Sequence, residues 1–396
     1  MKTKITGTNL YKIFGGNDTE AVKLLENGQT KDQIFAATGQ TVGVDNVNFK
    51  IAEGEIFVVM GLSGSGKSTL VRMINGLIRP SSGEILIDGI DVASCPAEEL
   101  RKVRREKVAM VFQHFALFPH KTVAQNVSFG LKIRGVPKAE RRQRAYTALE
   151  QVGLGARADS YPDELSGGMQ QRVGLARGLA SEPEILLMDE PFSALDPLIR
   201  GDMQQELLEL QRSLKKTIVF ITHDLTEALT LGNTIAIMRN GAMVQTGTAQ
   251  EIVGAPANDY VAAFTRDIDR SLVFTAETIA QPPQMLDLGT TDAANAVAQM
   301  DALGLDAIHL VENGALYGVL TYRAANAALS SGTPLKDVVL RDFPTASPGT
   351  RLYDLYPKAQ SGLPIALTQE PGKLSGIVRQ EALFAKLAPD ETEADA

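Results

Sequence analysis

The sequence predicts an α/β protein with a mainly parallel core sheet, followed by a second, smaller α/β region. Three observations lead there. From residue 42 to about 250, short apolar strands alternate with amphipathic helices, the order of layered α/β folds. One strand, IFVVM, runs straight into a glycine-rich loop that opens a helix. Past residue 300, a strand, glycine turn, strand and helix occur twice at a fixed offset.

Taken in order, residues 2–14 read as a strand that ends in a turn at Gly15-Gly16. Residues 17–40 read as two inserted short helices, with Leu24 and Leu25 on the apolar face of one and Ile34 and Phe35 on that of the other. The strand pattern resumes over 42–51, and the buried-strand runs IFVVM, VAMVF, ILLMD, TIVFIT and TIAIM follow. A looser stretch around 253–290 carries Pro256, Pro282 and Pro283. The repeat comes next: residues 306–329 match 363–387 in pattern, and Gly304 to Gly362 and Gly318 to Gly376 are both 58 residues apart. The last eight residues, PDETEADA, form an acidic tail.

Composition narrows the function classes. A length of 396 residues suits two or three domains at about 100–200 residues each. The 44% hydrophobic and 22% charged residues are the balance of a folded globular chain rather than a disordered one. No apolar run reaches the roughly 18 residues of a membrane span. The N-terminal MKTKITGTNLYK has no apolar core of a signal peptide, and a single cysteine, Cys95, rules out an intrachain disulfide and fits a reducing compartment. The net charge of −8 argues against a role on nucleic acid phosphates. That charge is unevenly placed: residues 271–396 hold 8 Lys+Arg against 15 Asp+Glu, so the first 270 residues are nearly neutral. The C-terminal region is therefore where an ionic-strength response is expected.

Chemistry-bearing motifs lie at the strand ends. The loop Gly61-Leu62-Ser63-Gly64-Ser65-Gly66-Lys67-Ser68-Thr69 has the spacing of a phosphate-binding loop. Its glycines let backbone N–H groups approach phosphate oxygens, and the helix N-terminus adds positive potential. Lys67 is placed for the β- and γ-phosphates, and the Ser68 hydroxyl for Mg²⁺. EILLMDEP ends in Asp189, placed to hold Mg²⁺, and Glu190, placed to polarise a water on the γ-phosphate side. His223 closes the strand TIVFIT in the same sheet, and Gln113 follows VAMVF with an amide oxygen that can reach Mg²⁺ or water. Ser166-Gly167-Gly168 precedes a second helix, with Ser166 as N-cap, and forms a further anion site. One chain already has a loop for those phosphates, so this second site is expected to serve another subunit's nucleotide.

These motifs, in this order and spacing, resemble the ATP-binding subunits of ABC transporters over residues 1 to about 250. The insertion 17–40, the segment FQHFALFPHKTV and the C-terminal repeat are closer still to the ATPase subunits of glycine betaine/choline importers, in which the repeated units are CBS modules. The resemblance implies an ATPase domain over 1–250, with a mixed sheet core, an antiparallel β subdomain and a helical subdomain at about 115–180. It also implies a linker over 251–275, a tandem CBS-like regulatory domain over 276–388 and the tail over 389–396. It implies that Phe14 stacks on adenine with Tyr11 as the alternative, and that Gly61 to Thr69 cradle the ATP phosphates. Ser68, Gln113 and Asp189 would hold Mg²⁺. Glu190 would be the general base, His223 the switch, and Gln113 the sensor that relays to the membrane partner. Ser166, Gly167 and Gly168 would clamp ATP in trans, and Asp196 would couple the two sites.

The implied assembly is a homodimer with two membrane-spanning permease subunits, served by a periplasmic or extracellular substrate-binding protein. It would sit peripherally on the cytoplasmic face of the cell membrane. The alternatives are an ATPase of the same type acting on nucleic acid, and an importer motor for another small polar substrate such as an amino acid. The 53 residues from Gln113 to Ser166 leave no room for the coiled-coil arm that the first would need. Two departures stand out. The signature has Met169 where Gln is usual. The Thr-then-Asp pattern of nucleotide-binding CBS modules is missing, since Thr321 is followed by Tyr322-Arg323-Ala324 and the second copy has Arg379 in its place.

Overall fold

A computed structural model describes residues 2–16, 18–113, 116–370 and 372–387, with the side chains of residues 370 and 387 excepted. The chain divides into two compact units, Met1–Asp267 and Ile268–Ala396. The acidic tail 389–396 lies outside the described residues.

The first unit holds two sheets. Strands β1 (Thr3–Phe14), β2 (Thr41–Ala52), β4 (Ser82–Ile87) and β5 (Ile90–Asp91) form an antiparallel sheet in the order β2-β1-β4-β5. Strands β3 (Ile56–Met60), β6 (Val108–Val111), β7 (Ile185–Asp189), β8 (Thr217–Thr222), β9 (Thr234–Arg239) and β10 (Ala242–Gly247) form the core sheet in the order β10-β9-β3-β8-β7-β6. Every pairing in it is parallel except that of β10 with β9. All residues of β3, β7 and β8 are buried, the mark of a parallel sheet covered on both faces. Helix α3 (Lys67–Ile74) buries Leu70, Val71, Met73 and Ile74 in the same apolar cluster as Phe49 and Ile85 of the antiparallel sheet and Val59 and Val219 of the core sheet.

The insertion forms α1 (Asp18–Glu26) and α2 (Lys31–Thr38) between β1 and β2. The apolar faces differ in part from those expected. Ala21, Val22 and Ile34 are the buried residues, Leu24 and Leu25 pack at the edge, and Phe35 is 59% exposed. Ile34 and Phe35 are adjacent, so 100° per residue separates them around so short a helix, and only one can face the core. The expected linker 251–275, with Pro256 in it, is more structured than a linker implies. The helix Ala249–Gly254 opens on a capping box between Thr248 and Glu251, and the helix Asp259–Thr265 is capped by the Asn258 side chain.

In the second unit, β11 (Met285–Asp287), β12 (Ala307–Glu312) and β13 (Ala315–Thr321) form one three-stranded sheet. Strands β14 (Thr345–Ala346), β15 (Ile365–Glu370) and β16 (Lys373–Val378) form another. In each, the first pair is parallel and the second a hairpin. The duplication is structural: β15, β16 and the helix Gln380–Leu387 each begin 58 residues after β12, β13 and the helix Tyr322–Ser331. Gly304 and Gly362 take the same left-handed conformation, at φ 62° and 71°. The short first strand of each unit, Met285–Asp287 and Thr345–Ala346, has no counterpart in the sequence pattern, because two or three residues are too few to show a period.

Candidate active site

The site is assembled where β3, β7 and β8 end. β3 is the central strand, flanked in parallel by β8 and β9, so the loop that follows it emerges at the middle of the sheet edge. Two glycines of that loop are obligatory. Gly61 has φ 151° and a Cβ there would sit 2.2 Å from the Met238 carbonyl oxygen. Gly66 has φ 104° and its Cβ would sit 2.5 Å from the Gly43 carbonyl oxygen. Gly64 is also left-handed, at φ 77°, but has open space around it, which suits close approach of a ligand. Gly66 is the N-cap of α3 and makes no side-chain cap, so the first N–H groups of the helix face the loop.

Lys67 is buried, and its Nζ donates to the carbonyls of Gly61 at 2.8 Å and Leu62 at 3.1 Å. Burial pulls its pKa down, opposed by Glu190 and Asp189. A buried ammonium hydrogen-bonded to two carbonyls and paired at 3.9 Å with one carboxylate oxygen, Glu190 Oε1, is a cation held at the loop where an anion would bind. The buried Ser65 hydroxyl has no hydrogen-bond partner in the same loop. Ser63 lies exposed at the loop's outer turn, and Thr69 is half-buried in the first turn of α3.

The metal-site expectation can be tested on geometry. Ser68 Oγ donates to Asp189 Oδ1 at 2.9 Å, which brings together one hydroxyl and one carboxylate at the loop's mouth. No cage of three or more His, Cys, Asp or Glu residues exists among the described residues. A single carboxylate and a hydroxyl fit Mg²⁺, which keeps its waters and takes its other ligands from phosphate.

Glu190 sits next to Asp189 but outside the strand, at φ 46°. Its N–H still donates to the Ile221 carbonyl of β8 at 3.1 Å. A non-glycine residue held there costs about 1–3 kcal/mol and is concentrated at functional positions. The conformation turns the carboxylate toward β8, where Oε2 meets His223 Nδ1 at 3.1 Å, while Oε1 faces Lys67. His223 is half exposed, and Nδ1 is the ring nitrogen turned to Glu190.

Gln113 lies two residues beyond β6, further from the strand end than the sequence implies. It reaches the same site through a residue to which sequence reasoning gave no role. Ser193 Oγ accepts from Gln113 Nε2 at 3.1 Å and donates to the Glu190 carbonyl at 3.0 Å. The signal for Ser193 was its place at the head of Ser-Ala-Leu-Asp, three residues past Glu190.

Phe14 ends β1, is 39% exposed, and packs so close to β2 that a Cβ on Gly43 would come 2.6 Å from its ring, with Lys12 Nζ 5.4 Å over that ring. Tyr11 is buried with Ile13, Ala21, Val22, Ile34 and Val42, so its ring face is not free for a base. Ser166 is exposed and caps the helix Gly167–Leu179, accepting the Met169 N–H at 3.4 Å. Gly168 is buried, with Ile199 Cγ2 2.6 Å from where its Cβ would lie. Among the described residues, no hydrogen bond or ion pair links Ser166, Gly167 or Gly168 to the loop 61–69 of the same chain. Asp196 is exposed at the start of the helix Pro197–Leu214, and its carboxylate caps nothing.

Comparison with known proteins finds relatives along the whole chain. The ABC transporter family model matches residues 44–193. The glycine betaine transport ATP-binding protein OpuAA of Bacillus subtilis is 48% identical over 97% of this chain and 92% of its own length. The glycine betaine/carnitine transport ATP-binding protein GbuA of Listeria monocytogenes is 46% identical over the full length of both chains. Among solved structures, the ATP-binding cassette MJ0796, dimeric in a post-hydrolysis state with ADP and Pi, shares 34% identity with a TM-score of 0.52. It covers 62% of this chain and 98% of its own.

Proposed function

The chain belongs to the ATP-binding subunits of ABC transporters, and from that premise we propose that it is the ATP-hydrolysing motor of an importer for quaternary amine osmoprotectants, of which glycine betaine is the first to test. The relatives carry that substrate class over nearly the whole length of both chains. One observation carries the catalytic reading: the Glu190 carboxylate is held between Lys67 and His223, one residue after the Asp189 that engages Ser68.

In this reading Phe14 stacks on the adenine, and the loop Gly61 to Thr69 wraps the phosphates with its N–H groups. Lys67 exchanges its carbonyl partners for β- and γ-phosphate oxygens. Ser68 and Asp189, with Gln113, would hold Mg²⁺, which would supply charge neutralisation at the phosphate oxygens. Glu190 orients a water and takes its proton as the water oxygen bonds to the γ-phosphorus and the bond to the β–γ bridging oxygen breaks. His223 fixes that carboxylate and offers its free nitrogen to the γ-phosphate. Gln113, tied through Ser193 to the backbone of Glu190, reports on the same centre.

Ser166, Gly167 and Gly168 face solvent or another helix rather than their own loop, which fits their use on the nucleotide of a second copy in a head-to-tail dimer. Asp196, exposed and with a carboxylate that caps nothing, fits the coupling contact between the two sites. Closure of the dimer on ATP would drive two separate permease subunits, with a substrate-binding protein delivering cargo, and would place the chain at the inner membrane surface. No helix among the described residues is long and apolar enough to cross a membrane. The duplicated second unit, read as tandem CBS modules, is the regulatory part. Its Thr321 hydroxyl is occupied in capping the helix Tyr322–Ser331, which weighs against a ribose-binding role.

The test is Glu190→Gln. It should bind ATP, accumulate as a closed dimer and lose about 10²–10⁴-fold in turnover. Near-normal steady-state hydrolysis would remove Glu190 as the base. Reconstitution with its permease, with ATPase measured against glycine betaine, proline betaine and choline, would fix the cargo; stimulation by an amino acid instead would overturn the substrate class.

A further inference from the structure

His223 stands at a junction whose supports the reaction described above does not use. It follows the last residue of β8, and among the described residues its side chain bonds to Glu190 only, at 3.1 Å. Its two neighbours in sequence are held firmly. Thr222 Oγ1 donates to Glu227 Oε2 at 2.5 Å and accepts from the Asp224 N–H at 2.9 Å. Asp224 caps the helix Leu225–Leu231, its Oδ1 accepting from the N–H groups of Thr226 at 2.8 Å and Glu227 at 3.2 Å. That leaves the second carboxylate oxygen, and Arg200 Nη1 donates to it at 3.2 Å.

Arg200 is in the first turn of the helix Pro197–Leu214, just past Ser193-Ala194-Leu195-Asp196. Its Nη2 donates to the Leu195 carbonyl at 3.3 Å, and its backbone N–H to the Asp196 carbonyl at 2.9 Å. Its Nε is buried, makes no hydrogen bond and lies 3.7 Å from Glu227 Oε1. Glu227 is buried too, and Gln204 Nε2 donates to the same Oε1 at 3.4 Å. A buried carboxylate fixes the guanidinium beside it, and the rigid planar fork then sets the two groups on its other side.

The far end of the turn is tied to Glu190, whose carbonyl accepts from Ser193 Oγ at 3.0 Å. The bonds close a ring. It runs from His223 to Glu190, through the turn to Leu195, across Arg200 to Asp224, and back to His223 along the chain. Arg200 is the strut of that ring on the side away from the contact between His223 and Glu190.

We propose that Arg200 is a positioning residue for ATP hydrolysis, holding the strand end that carries His223 to the turn that carries Asp196, so that one strut sets both the His223–Glu190 contact and the coupling aspartate. This rests on the ATP reading given above. A shift of Asp196 reaches His223 through Arg200 rather than through the nucleotide.

The test measures turnover and affinity side by side on the full chain, with hydrolysis at saturating ATP and Mg²⁺ and calorimetric titration with ATP in EDTA. Two variants break the strut from opposite ends. Arg200→Lys keeps a cation near Glu227 but replaces the fork with a single donor head. Asp224→Asn keeps the helix cap through its side-chain oxygen and loses the charge that Arg200 engages. Each should lower turnover about tenfold with ATP affinity within about twofold of the unaltered chain, and melting curves would show that both fold. In a His223→Ala background neither should lower the residual rate further, because both act through His223. Unchanged turnover in either variant would overturn the proposal. So would an equal fall on top of His223→Ala, or a loss of turnover matched by a loss of affinity, either of which would make Arg200 a structural residue of the domain. If the unaltered chain failed to bind ATP, the underlying reading would fall instead.

Discussion

His309 offers the most direct physical test of the second unit. It lies in the middle strand β12, fully buried, with its ring 6.1 Å edge-on from Phe343; among the described residues neither ring nitrogen makes a hydrogen bond of good geometry, the Pro364 carbonyl being the nearest approach to one. Burial pushes its pKa down from 6.5 to about 4; the Pro364 carbonyl pulls the other way, and the Arg379 guanidinium adds to the depression. The sign follows from proton counting. Between about pH 6.5 and pH 4 the unfolded chain binds a proton that the folded chain does not, so stability is full above that window and is lost as pH falls through it. From about pH 7.5 to about pH 5 the loss is about 2 kcal/mol, tending to about 3 kcal/mol at lower pH. Hydrogen exchange over Met285–Thr321 reads the opening of this unit apart from the rest of the chain. His309→Leu, close in size and without the poorly satisfied ring nitrogens, should remove that part of the pH dependence and be at least as stable at neutral pH. The chain has only four histidines, so proton NMR can follow each ring. A His309 resonance titrating near pH 6.5, or a leucine variant with the same acid slope, would refute the reasoning.

The remaining predictions concern the nucleotide site. Gly61→Ala forces a side chain to φ 151° and onto the Met238 backbone; it should cost about 2–4 kcal/mol of stability and abolish ATP binding, and a melting curve with a nucleotide titration checks both. Phe14→Ala should weaken ATP about tenfold with turnover at saturation preserved, while Phe14→Tyr should be near neutral; unchanged affinity in the alanine variant would remove Phe14 as the adenine platform.

Much of the site was legible because its signals are local. A strand, three glycines, Lys67 and a helix are contiguous, and their spacing alone fixes a loop with inward N–H groups. Asp189, Glu190 and His223 were legible as polar residues ending apolar runs, since strands of a parallel sheet bring such ends to one edge. The choice between Tyr11 and Phe14 was less so. β1 carries register shifts around Leu10 and Lys12, and Leu10 and Tyr11 are both buried, so simple alternation cannot say which ring faces out. Phe35 misled for a related reason: beside Ile34 on a two-turn helix, only the partner surface decides which one is covered.

The sequence by itself determined the layered α/β order, the phosphate loop, the acids and histidine at its sheet edge, the inserted helices and the duplicated C-terminal unit. These depend on period, on turn chemistry and on contiguous residues. Only the tertiary structure decided what depends on residues far apart in sequence: that Glu190 stands between Lys67 and His223, that Ser193 joins Gln113 to it, and that His309 is buried in the middle of its sheet. The physical reason is common to all three. Charge and hydrogen-bonding strength are set by distance and by exclusion of water, and both exist only once separate segments pack against one another.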